Sequence, residues 1–401
     1  MKEKLALDIQ NLEVGHFVVE ILEQTGQFNL TRPGHVKNLA VINNLKLKGV
    51  TKILIDPSKT ISLIDQESDK SSPSKPVNKL RTQVSSKPVI LEVKKAKDQF
   101  NKAKQTTRKL LDDIINSRDI DIAPVIDVID NSIKMIYKNP DAMLCITSIR
   151  EKDDYLLEHS VSVSVLMTVF AKYLDIDQKI VKQLAIGAFL HDIGKIKIPD
   201  EILQKPSKLT EAEFEVMKTH TVHSFNIIKD MNDVSEISLE VVAQHHEKLN
   251  GNGYPYQLTG EDISEYGKMI SICDIFDALT ADRVYKKGYT KVKAFSILRK
   301  LASQGDLELR LVDLFIKCIG IYPVGSLVEL SSNKLAIVDR RNDEDPINPK
   351  VRCFYNSEYH KFVMTEDLDL SASEDFIVKG VRANDFDLDM NKIVEFLLME
   401  G

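Results

Sequence analysis

Ile180-Val181-Lys182-Gln183-Leu184-Ala185-Ile186-Gly187-Ala188-Phe189-Leu190-His191-Asp192-Ile193-Gly194-Lys195 is the stretch on which the fold turns. Ile180, Leu184 and Ala188 recur at i, i+4 spacing and form one apolar row of a helix. The row reaches Asp192 at its next step, with His191 one residue round the helix. An imidazole and a carboxylate side by side at a buried helix end are costly to leave unpaired. Coordination of a divalent first-row ion removes that cost, because both groups are good ligands for such ions. Gly194 follows, and Lys195 stands four residues after His191 on the same helical side. A buried cation beside a metal ion calls for an anion as well, and phosphate answers that need.

Outward from this stretch, six of the nine histidines fall between residues 159 and 246: His159, His191, His220, His223, His245 and His246. Any one alone is more often a structural histidine than a ligand, so the set carries the argument, and His223 is read as structural. The adjacent pair His245-His246 would point its rings about 100° apart on a helix, which suits two ions better than one. A glycine-rich irregular loop, Glu247 to Pro255, follows the pair. Asp274 and Asp277 lie three apart in Ile270 to Leu279 and share a helix face. Asp274 is the better ligand, and Asp277 is placed to orient one.

The surrounding block, 140–320, reads as helical throughout. Ser160 to Val165 alternates like a strand, but Leu157, Val161, Val165, Val169 and Tyr173 continue an i, i+4 row, so a buried helix is expected. Residues 1–64 read as a small β-rich domain, with strand-like Val18-Val19, Leu47 and Ile53-Leu54-Ile55 and a helix from Val36 to Lys48. Residues 65–90, rich in Ser, Lys and Pro, read as a flexible linker. In 91–139, helices over Leu91 to Ser117 and Ile122 to Tyr137 read as a solvated connecting pair; a dimerising coiled element is the bolder reading. Residues 321–401 read as a small β-rich, barrel-like region with a terminal helix near Lys392 to Leu398.

Bulk properties narrow the class. With 43% hydrophobic and 28% charged residues, the 401-residue chain has the composition of a globular protein. Its net charge of −6 argues against binding DNA or RNA polymers. No apolar run reaches the roughly 18 residues of a membrane span, and Met1-Lys2-Glu3-Lys4 does not lead into a signal-peptide core. Cys145, Cys273, Cys318 and Cys353 are far apart and read as buried, reduced thiols of a cytoplasmic protein.

Four ordered motifs resemble one family closely. His191-Asp192-Ile193-Gly194-Lys195, His245-His246-Glu247, Gly253-Tyr254-Pro255 and Asp274-Ile275-Phe276-Asp277-Ala278-Leu279-Thr280 are similar to those of the HD-GYP domain of bacterial HD phosphohydrolases. Ile198-Pro199, Lys205-Pro206 and Met217-Lys218-Thr219-His220 also fall in the expected order. The resemblance covers about 140–320. It implies a central all-α HD-type helical bundle, flanked here by the two β-rich terminal domains. The first 64 residues resemble, more loosely, a β-rich domain found ahead of such bacterial domains.

Carried over position by position, the resemblance implies metal ligation by His159, His191, Asp192, His220, His245, His246 and Asp274. It implies catalytic roles for Asp192 and Lys195, and substrate contacts from Lys195, Gly253, Tyr254, Pro255, Arg283 and Lys286. Two six-coordinate ions need about twelve bonds. Seven ligands with Asp192 bridging supply about eight and a bridging hydroxide two more, which leaves room for phosphate oxygens. Nitrogen and oxygen donors without thiolate suit iron or manganese. Tyr155 occupies the position where some members carry a glutamate for a third ion, so two ions are expected. Thr221 and Ser224 depart from the family's Pro and Gly and are read as neutral. The implied reaction is hydrolysis of cyclic di-GMP to linear pGpG by attack of the bridging hydroxide. The alternatives are the same chemistry on 3′,3′-cyclic GMP-AMP, a non-catalytic cyclic-dinucleotide receptor, and a mononucleotide hydrolase of the wider superfamily. Homodimerisation, and protein partners at the terminal domains, are compatible with this layout.

Overall fold

A computed structural model describes residues 4–12, 16–25, 34–36, 42, 45–56, 90–147, 155–282, 287–342, 344–390, 392, 393 and 396. The chain divides into two compact units, Met1–Val84 and Ser85–Gly401.

The first unit holds an antiparallel sheet of β1 (Leu5–Asp8), β2 (Phe17–Gln24), β3 (Gly34–His35) and β4 (Val50–Ile55), in the order β1-β4-β2-β3. Val50, Ile53 and Ile55 of β4 are buried together with Ile9, Leu12 and Val18, as β-branched side chains on a half-buried pleat should be. Leu47, read as strand-like but also within the expected helix from Val36 to Lys48, is helical, as are Ile42, Leu45 and Lys46, and it is 73% exposed. Gly49, at φ 75°, ends that helical turn before β4 begins. Most of the expected helix from Val36 to Lys48, and the linker 65–90 except Ile90, lie outside the described residues.

The second unit begins with α1 (Ile90–Ile115), α2 (Ala123–Lys138) and α3 (Pro140–Ile146). The first two are not solvated connectors. Val93, Ala96, Phe100, Ala103, Thr107, Leu110 and Ile114 of α1 are buried at alternating steps of three and four, the narrow stripe of a helix packed along one seam. High charge at the intervening positions hid that stripe. α2 buries Val125, Val128, Ile129, Ile133 and Ile136 in the same core. α4 (Tyr155–Tyr173) is buried at every position from 157 to 171. A helix enclosed on all sides has no polar face, so its periodicity was weak. Two of its hydroxyls find partners inside: Ser164 donates to the Ala185 carbonyl at 2.9 Å and Thr168 to that of Ser164 at 2.7 Å.

Around α4 stand α5 (Gln178–Leu190), a 3-10 turn (Ile193–Lys197), α6 (Asp200–Leu203), α7 (Glu211–Lys218), α8 (His220–Ile228) and α9 (Glu236–Gln244). The bundle closes with α10 (Glu265–Thr280), α11 (Lys291–Ser303) and α12 (Leu309–Ile319). Strands β5 (Leu327–Leu330), β6 (Lys334–Arg340), β7 (Lys350–Asn356), β8 (Lys361–Asp369) and β9 (Ile377–Val381) follow, all antiparallel in the order β8-β7-β6-β5-β9. Where a barrel-like region was expected, the order is linear and the sheet open. It has no need to close, because both faces are already covered: Leu335, Ile337 and Phe354 pack on one side, and Val328, Ala336 and Cys353 on the other. Arg341 fastens the sheet to the bundle through Asp141 at 3.0 Å and the Cys318 carbonyl at 2.7 Å. Of the expected terminal helix, only Lys392, Ile393 and Phe396 are described, and they are helical. Among the described residues, no helix is long and apolar enough to cross a membrane.

Candidate metal centre

The centre sits where several helices end. α4 supplies His159 from its first turns; His191 caps α5 and Asp192 follows; His220 opens α8; His245 caps α9 and His246 follows; α10 supplies Asp274 and Asp277. Helix ends leave backbone carbonyls unpaired, and three histidines use them in one way. The Nδ1 atoms of His191, His220 and His245 lie 2.7 Å from the carbonyls of Ala188, Met217 and Val242, each three residues earlier. A carbonyl only accepts, so Nδ1 carries the proton and Nε2 turns its lone pair toward the centre. His159 is oriented differently, with Nδ1 2.7 Å from Asp277 Oδ2 and Nε2 3.0 Å from Asp274 Oδ1.

Asp192 lies at the middle. Its Oδ2 is 3.4 Å from His159 Nε2 and 3.3 Å from His191 Nε2, and its Oδ1 is 3.3 Å from His220 Nε2. Asp274 Oδ2 faces His246 Nδ1 at 3.7 Å. The ligand atoms fall into two groups, His159–His191–Asp192 and His220–His245–His246, each with its atoms within 4.8 Å of one another. All seven residues expected to hold metal are therefore brought together.

Two observations show that this set fits divalent ions. His191 Nε2 and Asp192 Oδ1 are buried without a hydrogen-bond partner, an expensive arrangement in a dry protein interior. In the neutral rings, His220 Nε2 and His245 Nε2 face each other lone pair to lone pair at 3.3 Å, a repulsion that a cation between them resolves. Burial and the neighbouring His246, His191 and His220 push His245 well below the ordinary imidazole value. Burial likewise takes His246 down to about 3, against the attraction of Asp274. Both rings are thus neutral near pH 7, the form that binds a cation. Burial opposes charge on Asp192, but Lys195, His191 and His159 together outweigh it and hold the carboxyl well below its usual range.

Lys195 Nζ lies 2.5 Å from Asp192 Oδ2, so the expected cation does stand beside the carboxylate. Tyr254 lies with its ring centre 4.7 Å from that of His246 and 6.2 Å from that of His220. Gly253 is buried where a Cβ would meet Lys248 N at 2.4 Å and Glu247 Cα at 2.5 Å, and Pro255 follows through a cis peptide. Arg283 and Lys286 lie outside the described residues.

Sequence reasoning missed three supports. Glu247 is buried, and its carboxylate accepts from the backbone N–H groups of Tyr256 at 2.7 Å and Leu258 at 3.0 Å, which holds the Gly253–Pro255 loop. Glu158, next to His159, is buried against Lys104 of α1 at 2.9 Å; no local pattern links residues 54 apart. Ser224 is not neutral, since its Oγ accepts from Gly194 N at 2.8 Å. A Cβ on Gly194 would lie 2.2 Å from the His220 carbonyl oxygen, so the turn after Asp192 docks directly on α8.

Buried histidines and aspartates converging at the helix ends of an all-α bundle define a metal-dependent phosphohydrolase of the HD class. A family model for the HD domain matches residues 143–309, and one for a domain of unknown function (DUF3391) matches residues 4–125. The cyclic di-GMP phosphodiesterase PA4108 of Pseudomonas aeruginosa is 32% identical over 321 residues, covering 79% of this chain and 77% of that protein. The 3′3′-cGAMP-specific phosphodiesterase 1 of Vibrio cholerae is 33% identical over 44% of this chain and 41% of its own length. The cyclic di-GMP phosphodiesterase response regulator RpfG of Xanthomonas campestris is 36% identical over 37% of this chain and 39% of its own. Among solved structures, Bd1817, an HDG"Y"P protein from Bdellovibrio bacteriovorus, aligns with 78% of this chain and 98% of its own, at 18% identity and a TM-score of 0.45. On its sequence relatives, the chain belongs to the HD-GYP family.

Proposed function

We propose that this protein is a metal-dependent phosphodiesterase that hydrolyses a cyclic dinucleotide, with cyclic di-GMP as its principal substrate and linear pGpG as its product. The observation that carries the reading is the convergence of five imidazoles and two carboxylates around Asp192, with Lys195 beside it. Similarity to PA4108 over most of both chains supports the choice of substrate.

His159, His191 and Asp192 would hold one divalent ion and His220, His245 and His246 a second, with Asp274 as a further ligand. Bound there, the two ions supply Lewis acidity to a phosphoryl oxygen and to water at neutral pH. Asp277 keeps the His159 ring in one orientation, with the proton on Nδ1. Lys195 offsets charge on the phosphoryl oxygens as the water oxygen bonds to phosphorus and the P–O3′ bond breaks. The ribose 3′ oxygen leaves with a proton, and the ring opens to a 5′-phosphorylated dinucleotide. Tyr254, against His246 and His220, shapes the pocket; Arg283 and Lys286 are further substrate contacts. The all-nitrogen-and-oxygen donor set favours iron or manganese. Four buried free thiols suit the reducing cytoplasm.

A second reading, 3′,3′-cyclic GMP-AMP as substrate, is favoured by the similarity to the cGAMP-specific enzymes of Vibrio cholerae. One experiment separates these readings. The protein is purified without oxygen, its metal is quantified, and both dinucleotides are assayed side by side. About two ions per chain with faster turnover of cyclic di-GMP is the expected result. Faster turnover of the mixed dinucleotide reverses the substrate assignment, and a metal-free protein without turnover leaves a receptor.

A further inference from the structure

A groove of 390 Å³ borders the metal centre, and Asp192 and Lys195 are part of its lining. That volume lies within the roughly 300–1,000 Å³ of small-molecule sites. Its walls are otherwise largely apolar: Leu110, Leu111 and Ile115 come from α1, while Phe189, Ile193 and Ile196 flank the His191-Asp192 pair. Ser160, the residue after His159, and Thr107 add hydroxyls, and Asp200 adds a carboxylate.

The α1 wall is fixed in place. Lys104, one turn before Thr107, is buried against Glu158 of α4 at 2.9 Å, so α1 is tied to the helix that carries His159. Yet α1 lies outside the residues matched by the HD domain and inside those matched by the domain of unknown function. A wall of the site is thus supplied from beyond the HD domain.

We infer that this groove is a specificity subsite that receives one purine base of the substrate while a phosphodiester lies at the metal centre; the inference rests on the phosphodiesterase reading above. A purine is flat, with apolar faces and polar edges. Enzymes that grip a base do so between apolar or aromatic side chains. The groove offers such walls, Phe189 among them, next to the carboxylate around which the ligands gather.

The test uses the full-length, metal-loaded protein. Ile115 is 62% exposed, so Ile115→Trp narrows the groove with little risk to folding; Leu111→Trp, at a half-buried position, narrows it further. The readout is kcat/KM for cyclic di-GMP divided by that for bis(4-nitrophenyl) phosphate, which has no purine. That ratio is expected to fall about 10-fold or more in both variants. In parallel, 8-azido-cyclic di-GMP is photocrosslinked to the unaltered protein, and the label is expected on the peptide containing residues 107–115. A ratio within about threefold of the unaltered protein in both variants, or label confined to other peptides, overturns the subsite. An unaltered protein that cleaves the aryl ester but no cyclic dinucleotide overturns the underlying reading instead.

Discussion

The two halves of the metal centre use the same residue types in different surroundings. His159, His191 and Asp192 are sealed, with side chains no more than 3% exposed. In the other half, His220 and His245 are as deeply buried, but His246 is 26% exposed and stands against Tyr254. In the sealed half, carboxylates brace His159, with Asp277 behind it and Asp274 beside it, and the Ala188 carbonyl braces His191. The open half is braced by backbone carbonyls and flanked by the Gly253–Pro255 loop. The difference teaches that one half buries every ligand side chain, while the other leaves one imidazole partly exposed beside a loop.

The strongest way to break this comparison is to remove the residue common to both halves. Asp192→Ala is expected to lower kcat by about 10³-fold or more and to strip both halves of metal, read by turnover and elemental analysis. Next, His159→Ala and His246→Ala should part company in stability. Removing His159 takes away the imidazole shared by three buried carboxylates, at about 3–5 kcal/mol. Removing His246, at the open edge, should cost about 1 kcal/mol or less. Urea unfolding of the metal-free variants measures both, and equal losses would dissolve the distinction.

Asp277→Asn sharpens the contrast at a site that touches one half only. Metal affinity should weaken about 10–100-fold, measured by chelator competition, with the loss confined to one of two ions. Gly194→Ala tests the joint between the halves, where a Cβ would press on the His220 carbonyl and on Ser224 N. A loss of about 1–3 kcal/mol is expected in urea unfolding. The smallest effect concerns thiols. Burial raises Cys273, beside Asp274, well above its ordinary value, and pushes Cys145, Cys318 and Cys353 up to about 12. At pH 8 all four are protonated, so a disulfide reagent should label the folded protein far more slowly than the unfolded one. Rapid labelling of Cys273 would show that the sealed half is open to solvent.

Much of the centre was legible because its chemistry is written in short segments. His191-Asp192, His245-His246 and the Asp274/Asp277 spacing each fix local geometry, and the seven expected ligands do converge. The helices of the bundle were legible wherever one face stayed apolar, as in α5. Legibility failed where a residue's partner is distant in sequence. Glu158 gave no sign of Lys104, 54 residues earlier, whereas the heptad-like stripe of α1 was masked locally by lysines and aspartates. Ser224 looked like drift until Gly194 was found on top of it.

Residue type, charge and spacing along the chain determined the ligand inventory and the helical character of the central bundle, because both depend on neighbours within a few residues. Only the tertiary structure decided which ligands share a side of Asp192, and that α1 packs against α4 through Lys104 and Glu158. It also decided that the final sheet stays open. These features arise from burial between segments tens of residues apart, where the cost of an unpaired polar group or an exposed apolar face is settled by packing and leaves no local mark.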